Sequence, residues 1–291
     1  MPYLVAVTVL WAFSFSLIGE VLSGQVDNHF AVLVRVALAA LAFVPFLRPR
    51  ALAVHQVLAL MGLGAVQLGL MYVFLYQSFL LLSVPEVVLF TIFTPVYVAV
   101  IDDALAGRFS PVHLVSAMLA VIGAGVIRYQ QPESDFWVGF FVVQGANVCF
   151  AAGQVGYRYL SPKLPRELPA YSAFGWFYIG ALALSATAFV LFGDSAGLPT
   201  TGLQWGVLLW LGLVASGAGY FLWNLGGTRV DAGTLAVMNN ALVPAGLVVN
   251  VLIWNRDADL VRLTLGGAIL LIALAIGLRF SGNAGRNAEC A

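Results

Sequence analysis

The chain has 291 residues, of which 62% are hydrophobic and 9% are charged, with a mean hydropathy of +0.97 and a formal net charge of zero. Soluble domains carry roughly 25% charged residues, and a chain of this size cannot enclose so much apolar surface in one core. The composition therefore excludes an ordinary soluble domain and predicts a polytopic membrane protein. The sequence contains no stripe of basic residues that would indicate a nucleic-acid partner.

Apolar runs of about 20 residues, long enough to cross a hydrocarbon core of about 30 Å as a helix, predict ten membrane spans. In chain order they are residues 2–22, 29–47, 56–82, 84–104, 111–129, 136–160, 168–193, 202–226, 231–254 and 260–280. The first span is too long for a signal-peptide core, so we expect it to be retained. Ser83 and Pro85 are nearly the only break between the third and fourth spans.

Basic residues in the connections indicate the orientation. Ten crossings place both termini on one side, which carries Arg48, Arg50, Arg108, Arg158, Lys163, Arg166, Arg229, Arg279 and Arg286. The opposite side carries only Arg128, Arg256 and Arg262. The positive-inside rule then predicts that both termini are cytoplasmic.

The second half of the chain echoes the first. One constant offset pairs Gln67 with Ser216, Met71 with Tyr220, Phe74 with Trp223, Thr91 with Asn240, and Pro95 with Pro244. Five helices per repeat is an odd number, so the two repeats must cross the membrane in opposite senses. We therefore expect an all-α membrane protein with a first repeat at 1–130, a second at 131–283 and a cytoplasmic tail at 284–291.

This pattern resembles the drug/metabolite transporter superfamily, whose EamA-type members have two five-helix repeats. The resemblance covers residues 3–280 and rests on VLWAFSFSL in the first span, VRVALAALAF around Arg35 in the second, and the fourth-span proline before SPVHLVSAMLAVIGAGVI. The chain is most similar to YddG-like exporters of aromatic and other neutral amino acids in bacterial inner membranes. It departs where many EamA repeats end helix four with Leu-Gly-Glu, because this chain has DDALAG and NRDAD.

The paired prolines interrupt the fourth and ninth spans. Pro95 removes a backbone donor near Thr91, and Pro244 does the same near Asn240. Transporters commonly bind substrate at such broken helices near the bilayer midplane, where the freed carbonyls line a cavity. Local repair of each kink is an equally good interpretation.

Polar and aromatic residues at helical spacing in several spans predict a cavity for a small molecule. The predicted substrate-binding residues are Trp11, Ser14, Gln67, Met71, Thr91, Asn147, Trp176, Ser216, Tyr220, Asn224, Asn239 and Asn240. For any one amide, an interhelical hydrogen bond is as good an explanation as ligand binding.

Substrate chemistry follows from the charges at membrane depth. Phosphorylated sugars would need several basic residues there, whereas Arg35 is the only one well inside a span. Amides, hydroxyls and helix ends can bind a zwitterion beside an apolar wall, so a neutral or aromatic amino acid is the first expectation. Amphipathic drugs and other apolar metabolites are the alternative.

Three charges predict a gate on the extracytoplasmic side. Glu20, Arg35 and Glu86 lie at similar depth in the first repeat, and an ion pair between Arg35 and either glutamate could close the outer mouth. The alternative is that Arg35 extends toward the interface and Glu86 is solvated.

No Asp or Glu lies near the centre of a predicted span, which favours facilitated diffusion or exchange over obligatory proton coupling. No catalytic, metal or cofactor motif is present, so an intramembrane enzyme is the weaker alternative. A channel is also weaker, because an inverted repeat supplies a pathway within one chain and a monomer suffices. The expected partners are the small-molecule substrate and the lipid bilayer.

Overall fold

A computed structural model describes residues 1–105, 107, 134–230 and 232–254, together with residues 261, 264, 265, 268, 269 and 272. All secondary structure in these residues is helical. The fifth predicted span, the limits of the two predicted repeats, the tail and most of the tenth span lie outside the described residues. The ten-helix, two-repeat arrangement therefore stays a prediction.

Seven described helices are long and apolar enough to cross a membrane, and an eighth apolar helix follows them. They are α1 (Pro2–Leu22), α2 (Asn28–Phe46), α3 (Val54–Ser78), α4 (Val84–Leu105), α5 (Asp135–Lys163), α6 (Ala170–Phe192), α7 (Gly202–Gly227) and α8 (Ala232–Ile253). They correspond to predicted spans one to four and six to nine.

The largest boundary difference is at the end of α3, which stops at Ser78 rather than at residue 82. The next helix has its own start signal, because the Glu86 carboxylate accepts hydrogen bonds from the backbone N–H and the hydroxyl of Ser83, at 2.8 and 2.7 Å. Pro85 occupies the first turn of α4, where a missing backbone donor costs little.

Several helices are not regular throughout. Wide π-helical turns occur at Ile18–Leu22 in α1, Ala65–Leu70 in α3 and Leu211–Ala218 in α7, and a tight 3₁₀ turn occurs at Thr91–Phe93 in α4. Such turns misalign backbone hydrogen bonds, and in lipid each freed carbonyl needs another partner. In α7, the Tyr178 hydroxyl supplies that partner through contacts of 2.8 and 2.7 Å to the carbonyls at 216 and 217.

Helix α6 packs closely against α3. Gly64 of α3 and Gly180 of α6 lie so close to the opposite backbone that a Cβ on either would overlap a carbonyl oxygen, of Phe177 or Met61 respectively. Small residues permit this approach, which stabilises helix pairs in lipid by van der Waals contact. The outer surface is apolar, as at Val190, whose side chain is 81% exposed.

Candidate functional site

A cavity of about 660 Å³ lies among α1, α2, α3, α4, α5, α7 and α8. Its wall is mostly aromatic and aliphatic with a few polar groups, which is the usual composition of a small-molecule site. Several predicted binding residues line it, namely Trp11, Ser14, Met71, Thr91, Asn147, Tyr220 and Asn239.

An aromatic cluster forms one side of the cavity. The Trp11 ring lies 4.7 Å from Tyr220 and 5.0 Å from Trp223 between centroids, and Phe150 lies 5.9 Å from Tyr220. The indole N–H of Trp11 donates to the Ala215 carbonyl at 2.9 Å, which fixes the ring against the π-helical part of α7. This side of the cavity is therefore an aromatic surface whose Trp11 ring is oriented by a hydrogen bond.

The break in α4 places polar backbone and side chains on the cavity wall. Pro95 cannot donate to the Thr91 carbonyl, which instead accepts from the backbone N–H of Thr94 and, at 2.9 Å, from the Thr94 hydroxyl. The amide of Asn147 on α5 donates to the Phe90 carbonyl at 2.8 Å. The kink is thus repaired by side chains, while Thr91, Thr94 and Asn147 also line the cavity.

The second proline helix, α8, is arranged differently. Pro244 lies inside the helix on its exposed side, and neither Pro244 nor Pro95 is among the residues that line the cavity. Asn239 lines the cavity and donates its amide to the Leu235 carbonyl at 3.0 Å. Its neighbour Asn240 is not among the lining residues, and its Oδ1 has no hydrogen-bond partner in the described part of the chain.

Arg35 lies on the cavity wall and is only 2% exposed. Its Nε donates to the Ser216 hydroxyl, and its Nη1 donates to the Tyr76 hydroxyl at 3.4 Å. The guanidinium lies 4.1 Å above the centroid of the Tyr72 ring, a cation–π geometry. The side chain points inward and does not extend toward the membrane interface.

The predicted gate is not formed in this structure. Arg35 pairs with hydroxyls of α3 and α7, whereas the Glu86 carboxylate caps the first turn of its own helix. Glu20 accepts from the Asn250 amide at 3.4 Å and so joins α1 to α8. The sequence places the three charged residues at a similar depth in the membrane, but in the structure Arg35 and the two glutamates contact different residues.

Gln67 was predicted to face the site and does not line it. It lies in the π-helical segment Ala65–Leu70, where the wider turn rotates the following residues by about 100° relative to a regular helix. Met71 and Tyr72 then face the cavity, while Gln67 packs against Gly153 of α5. Its buried amide has no hydrogen-bond partner within the described residues.

Three other predicted binding residues also lie outside the lining. Ser216 is fully buried behind Arg35 and shares a hydrogen bond of 2.9 Å with the Tyr72 hydroxyl. The Asn224 amide donates along its own helix to the Tyr220 carbonyl at 3.0 Å. Trp176 is half-buried on α6, and its indole N–H has no partner in the described ranges.

The structure adds lining residues that the sequence pattern had not assigned to the site: Phe15, Ile18, Tyr72, Leu75, Thr94, Ala146, Phe150 and Leu242. Tyr72 carried a usable signal, because a phenol inside a membrane span needs a hydrogen-bond partner. The aliphatic members carried none, since an apolar side chain faces lipid, core or cavity equally well.

Comparison with known proteins identifies the fold and the class. The model of the EamA-like transporter family matches residues 1–129. A probable biotin transporter of Pseudomonas aeruginosa is 55% identical over 274 residues, which cover 94% of this chain and 96% of that protein. The chain belongs to the EamA-like transporter family. Biotin transporters of Salmonella typhimurium and Escherichia coli are each 49% identical over 275 residues, covering 94% of this chain and 91% of each relative.

Membership of the EamA-like family confirms the resemblance drawn from the sequence and the conclusion that the chain is a membrane transporter rather than an enzyme. The names of these relatives give no support to amino-acid export. A solved crystal structure with 17% sequence identity matches with a TM-score of 0.65 over 96% of this chain and 98% of that chain. At this identity, the match shows the fold alone.

Proposed function

We propose that this EamA-like transporter carries biotin across the bacterial inner membrane through the central cavity, by alternating access. The observation that carries the proposal is the name shared by relatives that are 49% to 55% identical over nearly the whole chain. Biotin has a neutral ureido ring, an apolar chain and one carboxylate. An aromatic cavity with a few polar groups is the kind of site that such a molecule requires.

The polar groups of the wall suit the ureido ring, which has two N–H donors. Asn239 uses its amide nitrogen on the Leu235 carbonyl, so its Oδ1 is left to accept a hydrogen bond from a ligand. The hydroxyls of Thr91 and Ser14 donate to carbonyls one turn earlier in their own helices, and their oxygens can still accept. The cavity wall therefore has hydrogen-bond acceptors available for the uncharged N–H groups of the ureido ring.

The charge of the wall favours biotin over a neutral amino acid. Arg35 is the charged residue of the lining, and no Asp or Glu lines the cavity in the described part of the chain. A zwitterion would bring an ammonium group that has no anionic partner there, and a cationic drug would meet a like charge. A monocarboxylate with a neutral remainder has neither problem.

Counterflow in proteoliposomes tests the proposal. Vesicles loaded with unlabelled biotin should accumulate tritiated biotin in a saturable manner. Replacing Asn239 by Leu removes one hydrogen bond to the ring, and we expect counterflow at subsaturating biotin to fall by about tenfold. Thr187→Val serves as the control, because Thr187 lies on the exposed face of α6 and makes the same type of bond to its own helix.

Counterflow of phenylalanine without counterflow of biotin would contradict the proposal and restore the amino-acid prediction. Counterflow of cationic drugs alone would favour the multidrug alternative. The same assay in membrane vesicles of each orientation measures the direction of transport, which the resemblance predicts to be export.

A further inference from the structure

Arg35 is a buried cation that has no carboxylate partner within the described residues. Its protein contacts are the hydroxyls of Ser216 and Tyr76 and the ring of Tyr72. A charge at membrane depth is costly unless it is paired, and residues of this kind mark substrate pathways. The wall of the cavity thus holds a positive charge that the surrounding side chains orient without neutralising.

The guanidinium is held in one orientation. Ser216 accepts from its Nε, Tyr76 accepts from its Nη1, and the Tyr72 ring supports one face of its plane. A guanidinium has five N–H donors, so about three are left without an acceptor in the described part of the chain. Their fixed fork geometry matches the two oxygens of a carboxylate.

We propose that Arg35 binds the carboxylate of the transported molecule and makes the transporter selective for the free acid. This inference rests on the proposed function, in which the substrate is biotin. The carboxylate would neutralise the charge of Arg35, and the ureido ring would form hydrogen bonds with polar groups of α4 and α8, such as Thr91 and Asn239. Biotin esters and amides, including biotin linked to lysine, would be excluded because they cannot neutralise the cation.

Competition binding on the detergent-solubilised full chain tests the selectivity. Tritiated biotin is displaced by unlabelled biotin, biotin methyl ester or biotinamide. On the wild type, we expect the amide and the ester to bind about 100-fold more weakly than the acid, since each leaves a buried charge unpaired. This comparison requires no variant, so a folding defect cannot affect it.

Variants then test the assignment to Arg35. Arg35→Gln should reduce the affinity for biotin to about that for biotinamide and so abolish the preference for the acid. Arg35→Lys should retain part of the preference, because the ammonium keeps the charge and loses the bidentate fork. Arg50→Gln is the matched control, since Arg50 lies exposed in the connection between α2 and α3.

Equal displacement of biotin by acid and amide on the wild type would overturn the inference and leave the proposed function intact. A preference for the acid that persists in Arg35→Gln would overturn it as well. If biotin fails to bind, the proposed function fails, and thermal stabilisation is measured with octanoate and lipoate. Stabilisation of the wild type but not of Arg35→Gln would then support the inference, and stabilisation by neither acid would overturn it.

Discussion

Two regions of the helix bundle are packed in opposite ways. Where α3 meets α6, Gly64 and Gly180 bring the two backbones into direct contact. Around the cavity, aromatic rings such as Trp11 and the interrupted helix α4 keep the helices apart, and Asn147 bonds a carbonyl that the interruption frees.

This difference shows how a membrane protein obtains both a rigid frame and an internal space. Lipid is as apolar as leucine, so burial of apolar surface drives helix association weakly, and close contact of small residues replaces it. A space inside the bundle requires irregular backbone, whose polar groups must be bonded by side chains. Stability should therefore depend on side-chain volume at the α3–α6 seam and on hydrogen bonds around the cavity.

The largest expected effect is that of Gly64→Ala in the seam. The new methyl group would overlap the backbone carbonyl of Phe177, which cannot move aside as a flexible side chain would. We expect a loss of about 3 kcal/mol of stability, the upper end for overpacking. Thermal unfolding in detergent, followed by fluorescence size-exclusion chromatography, measures it.

Gly62→Ala is the matched control for this prediction, because it makes the same change in the same helix where no atom lies within 4 Å of the added Cβ. Equal melting temperatures for the two variants would contradict the close contact between α3 and α6.

The second prediction concerns the repaired break in α4. Asn147→Ala leaves the buried Phe90 carbonyl with only the long hydrogen bond of 3.5 Å from the Gln144 amide, and should cost about 2 kcal/mol, within the range for a poorly satisfied buried group. Biotin counterflow should fall together with the melting temperature. Asn240→Ala is expected to destabilise the protein less, because Asn240 Oδ1 bonds no group in the described residues. A reversed order of the two variants would argue against side-chain repair of the kink.

The smallest expected effect separates the two prolines. Pro95→Ala supplies a backbone N–H that competes with Thr94 for the Thr91 carbonyl, which should straighten α4 and move two groups of the cavity wall. We expect biotin counterflow to fall about fivefold, equivalent to about 1 kcal/mol. Pro244→Ala, on the exposed side of α8, should change it by less than about twofold. Equal effects of the two variants would show that transport does not depend specifically on the break in α4, where Thr91 and Thr94 line the cavity.

Much of the site could be anticipated from residue types. Amides inside apolar spans need hydrogen-bond partners, and aromatic rings at helical spacing beside them predict a cavity wall. Trp11, Asn147, Tyr220 and Asn239, which were selected in this way, do line the cavity. Helical spacing was less reliable. It placed Gln67 on the same face as Met71, and the π-helical turn between them rotates that face.

The paired prolines illustrate the same limit. Pro95 and Pro244 occupy matching places in the predicted repeat, yet the first is buried and the second is exposed. The predicted repeat aligns part of α3 with part of α7. Both of these segments contain a π-helical turn, which supports the repeat. The repeat itself stays a prediction, because its limits lie outside the described residues.

The sequence by itself determined that the protein lies in a lipid bilayer, that its fold is helical and which family it resembles. The reason is that the length of apolar runs and the scarcity of charge can be read from the sequence without knowledge of the packing. It also indicated that Arg35 needs a partner, since a lone cation inside a span is costly. Only the tertiary structure decided which partner. Because α2 packs against α3 and α7, the Arg35 side chain contacts hydroxyl groups and the cavity rather than Glu20 or Glu86. This packing depends on helix rotation and irregular turns, which a local sequence pattern does not encode.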